Sequence, residues 1–302
     1  MEQVLSAGGF VPEKQLRRLF PRNRLLGSET ACAIAFVVPY GAVFGAFVAY
    51  PLVYGLWMAS DPQLYADLFQ DPTYVRTLVN TALFVGVGVN VQMFAALLLS
   101  GYFMRRRWYI QPLLIAYMLP WVLSVIPAFV SWHWMLIGEQ GFLNSLLREL
   151  FDIEGPLWLI SRWRALGCDI VAYIWKWMPF WTVVFLAARM AIPREILEAA
   201  DVDGATGSRR FLHITFPLLG NIYLICTLLS TVWTLSDFTT VYFVSGGGPV
   251  HATEVLATLT IRYAFDAAKP SLGVAAAVSV LPVLIPIALV LLRRLQLWEV
   301  RL

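Results

Sequence analysis

Six long apolar runs, each about as long as a membrane-crossing helix or longer, dominate this sequence. They occupy residues 30–60, 77–104, 108–137, 169–190, 214–236 and 270–292. A helix needs about 20 mostly apolar residues to cross a bilayer, and in lipid only helices and closed barrels satisfy every backbone polar group. Charged residues make up only 14% of the chain, against about 25% in soluble domains. We therefore predict an all-α integral membrane protein with six transmembrane helices and no separate soluble domain.

The charges outside these runs predict how the chain is oriented. Residues 1–29 are polar and basic and do not open on an apolar core, so we expect a cytoplasmic N-terminal segment and no secretory signal peptide. Residues 30–292 form the predicted transmembrane domain, and residues 293–302 form a cytoplasmic C-terminal tail. With both termini inside, 15 of the 22 lysines and arginines lie on the cytoplasmic side, as the positive-inside rule requires.

The third run and the loop that follows it carry local signals. Pro120 and Pro127 lie within the third run and predict kinks in a membrane helix, which neighbouring helices can accommodate. The loop after that run, residues 139–168, has mixed charges and predicts a short surface helix near residues 141–150.

The polar loop 191–213, placed in the cytoplasm by the same charge count, has the pattern of a short exposed helix. Pro193 suits a first helical turn, because its missing N–H would have no intrahelical partner there. Good helix formers follow as far as Ala200, and Gly204 and Gly207 are stop signals. A helix of about ten residues is too short to cross a bilayer. On these residues alone, the loop is either a plain connector or a functional element.

The spacing in this loop resembles the EAA motif of permease subunits of binding-protein-dependent ABC importers. The matching residues are Glu198, Ala199, Ala200, Gly204, Ile214 and Pro217. Phe216 departs from the leucine that usually precedes the proline. The resemblance implies a type I ABC importer permease fold, in which the short helix is a cytoplasmic coupling helix seated in a cleft of a separate ATPase subunit. The coupling residues it implies are Glu198, Ala199, Ala200, Asp203 and Gly204.

Segments outside the loop resemble the same family. They are PLVYGLWMAS at 51–60, DPTYVRTLVNTALF at 71–84, IWKWMPF at 174–180 and SGGGPVHAT at 245–253. The last looks like the GGP loop of the maltose-transporter type, and the chain ends without the glycine-rich tail usual in the second permease of such pairs. The resemblance implies the first permease subunit of a carbohydrate importer in a bacterial or archaeal cytoplasmic membrane. The implied partners are a sister permease, two copies of an ATPase subunit and an extracytoplasmic solute-binding protein.

The sequence predicts no nucleotide, cofactor or metal site in this chain. It has no GxxxxGK[ST] loop, so we expect no cofactor here and assign ATP and Mg²⁺ to the partner ATPase subunits. Its three histidines and three cysteines lie in separate segments, which predicts no metal site. Membrane lipid is an expected partner, and nucleic acid is not. Two rival classes are a secondary transporter, which needs its own ion relay, and an intramembrane enzyme, which needs a nucleophile with a base or metal ligands.

Polar and aromatic residues inside the spans are the candidates for solute contact. Lys176 is the only charge well inside a predicted span, so we expect it to face a cavity and the solute, or to pair with Asp169 or Asp237. The resemblance adds five residues whose positions match the sugar site of the maltose-type subunit: Trp233, Thr234, Asp237, Tyr173 and Trp177. Aromatic walls with a few placed polar groups suit such a pocket, although tryptophans also collect at membrane interfaces.

The resemblance favours a mono- or oligosaccharide as the solute. Polyols and glycerol phosphate are the alternatives, and Lys176 keeps an acidic sugar open. We expect translocation by alternating access: the partner subunits hydrolyse ATP, and the coupling helix transmits their closure to the spans.

Overall fold

A computed structural model describes residues 22–105 and 107–299. The predicted N-terminal segment (1–29) and C-terminal tail (293–302) lie partly outside the described residues, so their cytoplasmic placement stays a prediction. Every regular element in the described residues is helical. The α-helices are α1 (Arg22–Phe44), α2 (Tyr50–Met58), α3 (Pro62–Gln70), α4 (Pro72–Phe103), α5 (Ile110–Val122), α6 (Val125–Leu136), α7 (Phe142–Phe151), α8 (Arg162–Met190), α9 (Arg194–Val202), α10 (Gly207–Arg210), α11 (Phe216–Leu235), α12 (Thr239–Val244), α13 (Leu256–Ile261), α14 (Pro270–Val278) and α15 (Leu281–Glu299). Short π-helical segments occupy Gly45–Ala49, Phe211–Thr215 and Arg262–Asp266.

Helix length and composition confirm the predicted membrane spans. Within the described residues, the stretches long and apolar enough to cross a membrane are Ala33–Met58, Pro72–Phe103, Arg162–Met190, Gly207–Leu235 and Pro270–Val290. The bent pair α5 and α6 makes a sixth span when it is counted as one. The fourth and fifth spans begin earlier than predicted, at Arg162 and Gly207, because their helices continue into polar sequence that hydropathy assigns to loops.

The chain divides into two compact units, the first ending at Trp57 and the second starting at Met58. The first unit contains α1, the π-helical segment Gly45–Ala49 and nearly all of α2. From residue 33 onward, its large apolar side chains are exposed: Phe36 is 81% and Phe47 is 78% exposed. A helix that is apolar all round is typical of a membrane span, so this unit has the surface of a lipid-facing helix.

Three long helices, α4, α8 and α11, form the core of the second unit by packing on one another. Met93 of α4, Phe185 of α8 and Leu219 of α11 belong to one buried cluster where these helices meet. The start of α4 is fixed by Asp71, whose carboxylate accepts a 2.7 Å hydrogen bond from the backbone N–H of Thr73. Such a cap satisfies an amide that has no intrahelical partner.

The third predicted span is broken and not merely kinked. Helix α5 ends at Val122, α6 begins at Val125, and the two helices are bent by 94°. Pro127 lies in the first turn of α6, where proline needs no N–H partner, and Pro120 lies in the last turn of α5. The bending predicted for this span is present, but it is one sharp turn between the two prolines instead of a kink at each of them. The predicted surface helix near 141–150 is confirmed by α7.

A buried amide ties α4 to the loop that follows α12. The side chain of Asn80 donates 2.8 Å hydrogen bonds to the carbonyl oxygens of Ala252 and Glu254. Its amide oxygen accepts a 2.8 Å hydrogen bond from Arg162, at the start of α8. One side chain thus connects three parts of the fold at the end of the spans away from α9.

Replacement of Asn80 by leucine leaves two carbonyls and one guanidinium without this partner, and each buried polar group left unpaired costs about 1–3 kcal/mol. We expect Asn80→Leu to lower the thermal unfolding midpoint of the purified chain in detergent. Asn90→Leu is the matched control, because exposed Asn90 donates only to the carbonyl of Gly86 in its own helix. Equal midpoints for the two variants would contradict the linking role of Asn80.

Candidate functional site

The loop between the fourth and fifth spans folds as the sequence predicts. Helix α9 starts directly after Pro193 and ends at Val202. Gly204 follows in the left-handed conformation, with φ +70°. The backbone N–H of Ala205 donates to the carbonyl of Ala200 (2.8 Å), and that of Gly204 donates to Asp201 (3.2 Å). This is the Schellman pattern that satisfies the last carbonyls of a helix, and it explains why glycine occupies position 204.

The EAA residues present one exposed and one buried side of α9. The side chains of Glu198, Ala199 and Asp203 are exposed, whereas Ala200 is buried against the rest of the chain. A 2.7 Å ion pair between Asp201 and Arg210 joins α9 to α10. The exposed side is therefore a charged surface held in place at the end of two spans.

A second candidate site is a cavity of about 280 Å³ between α8 and the end of α11. Its lining residues are Tyr173, Trp177, Trp233, Ser236, Asp237 and Thr239. Four of the six residues predicted to bind solute therefore meet around one space. Ser236 and Thr239 are additions that the sequence reasoning missed, although both flank Asp237 in the chain.

Thr234 supports this cavity from behind without lining it. Its hydroxyl donates to the carbonyl of Ser230 at 2.6 Å, so its oxygen is left to accept the hydroxyl proton of Tyr173 at 2.7 Å. The ring of Tyr173 also packs edge-on against Phe84, with ring centroids 5.2 Å apart. The predicted residue Thr234 thus fixes the orientation of a lining side chain.

Asp237 is the only carboxylate that the described residues place in the lining of this cavity, and they place no lysine, arginine or histidine there. Its carboxylate accepts hydrogen bonds from the backbone N–H of Thr240 at 3.1 Å and from the hydroxyl of Thr240. Burial raises the pKa of Asp237, and the hydrogen bonds from Thr240 and from the backbone of Thr239 partly offset that rise. Each carboxylate oxygen accepts more than one hydrogen bond, so acceptor capacity remains for a bound hydroxyl group.

Lys176 is fully buried and lies elsewhere, because it does not line this cavity. Its ammonium group donates to the carbonyl oxygens of Pro120 (2.7 Å), Trp121 (3.3 Å) and Leu123. The last carbonyls of a helix have no intrahelical donor, and α5 ends here inside the bent span. The three protons of one ammonium group satisfy them.

Of the two predictions for Lys176, the ion pair is corrected by this placement. The predicted ion pair with Asp169 or Asp237 is not among those that the described residues form. Contact with solute is also not supported, since backbone carbonyls occupy the ammonium. Hydropathy identified the costly charge but could not show that a broken helix supplies its partners.

Aromatic rings continue from the cavity along α8 and were not singled out in the sequence. The ring centroid of Trp233 lies 5.4 Å from that of Trp181 and 5.9 Å from that of Phe180. Phe180 in turn lies 5.7 Å from Trp121, beside the break between α5 and α6. The signal in the sequence is the spacing of three and four residues from Trp177, which places Phe180 and Trp181 on one helical face.

The glycine-rich loop after α12 is locked to α8 by a polar chain. Ser245 donates a 2.8 Å hydrogen bond to the carboxylate of Asp169 and lies 3.0 Å from the hydroxyl oxygen of Thr253. Thr253 donates in turn to the carbonyl of Gly248 at 2.8 Å.

The described residues contain no group of three or more histidine, cysteine or acidic side chains that could hold a metal ion.

The residues of the cavity and of α9 all lie within the part of the chain that matches one protein family. A family model described as "Binding-protein-dependent transport system inner membrane component" matches residues 52–296. The chain belongs to this family.

Two relatives show how far the similarity of this permease extends. It is 31% identical to the sulfoquinovosyl glycerol transport system permease protein SmoG of Agrobacterium fabrum, over 82% of this chain and 84% of the relative. It is 30% identical to the sn-glycerol-3-phosphate transport system permease protein UgpA of Yersinia pseudotuberculosis, over 85% and 91% of the two chains.

The fold of the permease is also that of a solved transporter. A chain in the crystal structure of a bacterial alginate ABC transporter, in complex with an alginate pentasaccharide-bound periplasmic protein, superposes with a TM-score of 0.78. It is 23% identical, and the superposition covers 92% of this chain and 96% of the other. The predicted type I importer permease fold is confirmed.

The position of Lys176 predicts a structural effect for its removal. We expect Lys176→Met to lower the thermal unfolding midpoint of the permease and to leave its preference between neutral and anionic solutes unchanged, because it frees three carbonyls at the end of α5. Lys269→Met is the control, since that lysine is exposed outside the spans. Selective loss of anionic-solute uptake at unchanged stability would restore Lys176 as a solute-binding residue.

Proposed function

We propose that this chain is the permease subunit through which an ATP-driven importer moves a sugar or sugar-like solute across a bacterial or archaeal cytoplasmic membrane. The observation that carries the proposal is the meeting of Tyr173, Trp177, Trp233 and Asp237 around one cavity. Family membership supports delivery of the solute by a binding protein.

The cavity has the chemistry that a sugar needs. Aromatic rings present flat apolar faces to the C–H groups of a sugar ring, and the Asp237 carboxylate with the Ser236 and Thr239 hydroxyls can bond its hydroxyl groups. Apolar walls with a few placed polar groups are the general pattern of small-molecule sites. Trp233 is 48% exposed, so its ring is accessible to a solute entering the cavity.

Energy reaches this cavity through α9, which we assign as the coupling helix. Glu198 is the principal contact to an ATPase subunit, with Ala199, Ala200, Asp203 and Gly204 shaping the fit. ATP and Mg²⁺ bind in two copies of that subunit, whose closure moves α8 and α11 together. A sister permease completes the pathway, and the site is exposed outward and then inward. Loop 191–213 and both termini then lie in the cytoplasm.

A second candidate solute is an anion such as glycerol phosphate or an acidic sugar. It is favoured by UgpA, an sn-glycerol-3-phosphate permease, and by the alginate transporter, which imports an acidic polysaccharide. The cavity argues against it in this chain, because its lining contains one carboxylate and no lysine or arginine. We therefore rank neutral sugars and polyols above anionic solutes.

The coupling proposal predicts the effect of a charge reversal. The complete complex, with sister permease, ATPase subunits and binding protein, is reconstituted and its ATPase activity is measured with neutral sugars, polyols, acidic sugars and glycerol phosphates. We expect one solute class to stimulate the wild type and not Glu198→Lys. Glu149→Lys makes the same charge change on exposed α7 and should retain the stimulation.

Either of two results would count against this assignment. Stimulation that persists in Glu198→Lys would show that this residue does not couple the permease to the ATPase. Solute uptake that needs no ATPase at all would favour a secondary transporter.

The cavity predicts a separate effect on solute affinity. Loss of one stacked aromatic ring removes about 1.5 kcal/mol of interaction, or roughly a tenfold change in affinity. We expect Trp233→Ala to raise the KM for the solute by this factor, whereas Trp134→Ala, an exposed ring away from the cavity, should not. A common effect of both substitutions would indicate general destabilisation and contradict a stacking role for Trp233.

A further inference from the structure

Two adjoining cavities lie at the end of the spans that carries α9. Their volumes are about 490 and 670 Å³, and they share a wall that contains Arg105, Arg189 and Leu197. The first cavity reaches α10 and the second reaches the start of α5. The solute site described above lies elsewhere, since none of its lining residues borders either cavity.

The walls of these cavities concentrate positive charge. Among the residues that the structure describes, no aspartate or glutamate lines either cavity, and arginines border them at five positions: Arg105, Arg107, Arg189, Arg194 and Arg210. The ion pairs formed by the described residues account for Arg210, which bonds Asp201 at 2.7 Å, and for none of the other four. Several unpaired guanidinium groups around one space attract an anion.

One of these positive charges, that of Arg189, is buried in the wall that the two cavities share. It is 92% buried, and its Nε and one Nη donate to Ser100 Oγ (2.7 Å) and to the carbonyl of Leu97 (2.9 Å). These are neutral acceptors, so they hold the guanidinium without cancelling its charge. A guanidinium has five N–H donors, which leaves donors for a ligand in the cavities.

The rest of the wall is apolar and belongs to membrane helices. Leu98, Phe103, Ile110 and Leu186 line the two cavities with their arginines. Trp108, also in the wall, is 88% exposed, and tryptophan is enriched at the level of lipid headgroups. A small inorganic anion would leave this apolar surface unused, whereas a phospholipid has both a phosphate and an apolar body.

We propose that these two cavities bind the phosphate headgroup of an anionic phospholipid from the leaflet on the side of α9. Arg105, Arg107 and Arg194 contact the phosphate, and Arg189 supplies buried positive charge behind it. Basic pockets between membrane helices are a known mode of anionic-lipid recognition. The site adjoins α9, so the bound lipid would stabilise the base of the coupling helix.

The test measures lipid selectivity of the full chain. The chain is reconstituted in phosphatidylcholine vesicles, and electron paramagnetic resonance measures the immobilised fraction of spin-labelled phosphatidylglycerol and of spin-labelled phosphatidylcholine. The cavity variant carries Arg105→Gln, Arg107→Gln and Arg194→Gln, all at exposed positions. The control carries Arg76→Gln, Arg148→Gln and Arg164→Gln, which are exposed at the opposite end of the spans. Thermal unfolding midpoints show that both variants fold.

We expect the wild type and the control to prefer phosphatidylglycerol. We expect the preference of the cavity variant to fall on the order of a hundredfold, because it lacks three basic residues and each contributes about a factor of five near a membrane. A wild type without this preference, or a cavity variant that keeps it, would overturn the proposal. Full displacement by inorganic phosphate at constant ionic strength would make the site one for small anions. Unchanged lipid preference, together with loss of the ATPase subunit when the complete complex of the cavity variant is purified, would assign the arginines to a protein interface and overturn the proposal.

Discussion

The lack of water in the bilayer core, which obliges every backbone polar group to find a partner inside the protein, governs this structure. Long helices meet this requirement on their own, but the break between α5 and α6 does not. Lys176 resolves the conflict by giving its three protons to carbonyls at the end of α5. A buried ammonium and the unpaired carbonyls of a broken helix are each unfavourable in lipid. Their hydrogen bonds to each other offset much of both free-energy penalties.

Sequence alone predicts the parts of this fold that depend on local signals. The six spans follow from apolar run length, and α9 follows from its helix formers and from Gly204, whose left-handed conformation the sequence pattern anticipates. The break between α5 and α6 was predicted only as kinks at Pro120 and Pro127, because hydropathy does not distinguish a kinked helix from a broken one. The partners of Lys176 were not predicted either, because these carbonyls are more than 50 residues away in the chain.

The candidate site also has a part that the sequence predicts and a part that depends on how the helices pack. Tyr173, Trp177, Trp233 and Asp237 could be named because their spacing resembles that of a family with a known site. Thr234 was named as a contact but acts behind Tyr173, since two hydroxyl groups on neighbouring helices pair with each other. Such pairing depends on how α8 and α11 are rotated about their axes, and no single-sequence signal specifies that rotation.

The two helices that carry the cavity also carry the loop helix, and this connection is the mechanical core of the molecule. Helix α8 has 29 residues and spans about 43 Å at 1.5 Å per residue. It bears Tyr173 and Trp177 near its middle and leads into α9. The chain leaving α9 enters α11, which carries Trp233 in its last turn and ends at Leu235. Arg189 clamps the end of α8 to Ser100 of α4, so a displacement of α9 cannot be absorbed by fraying at that end. The return path contains the π-helical segment Phe211–Thr215, and such segments are common at functional positions in helices. On the proposed assignment of α9 as the coupling helix, we expect a displacement of α9 to be carried rigidly through α8 and with more freedom through α11, and so to change the distance between Trp177 and Trp233 across the cavity.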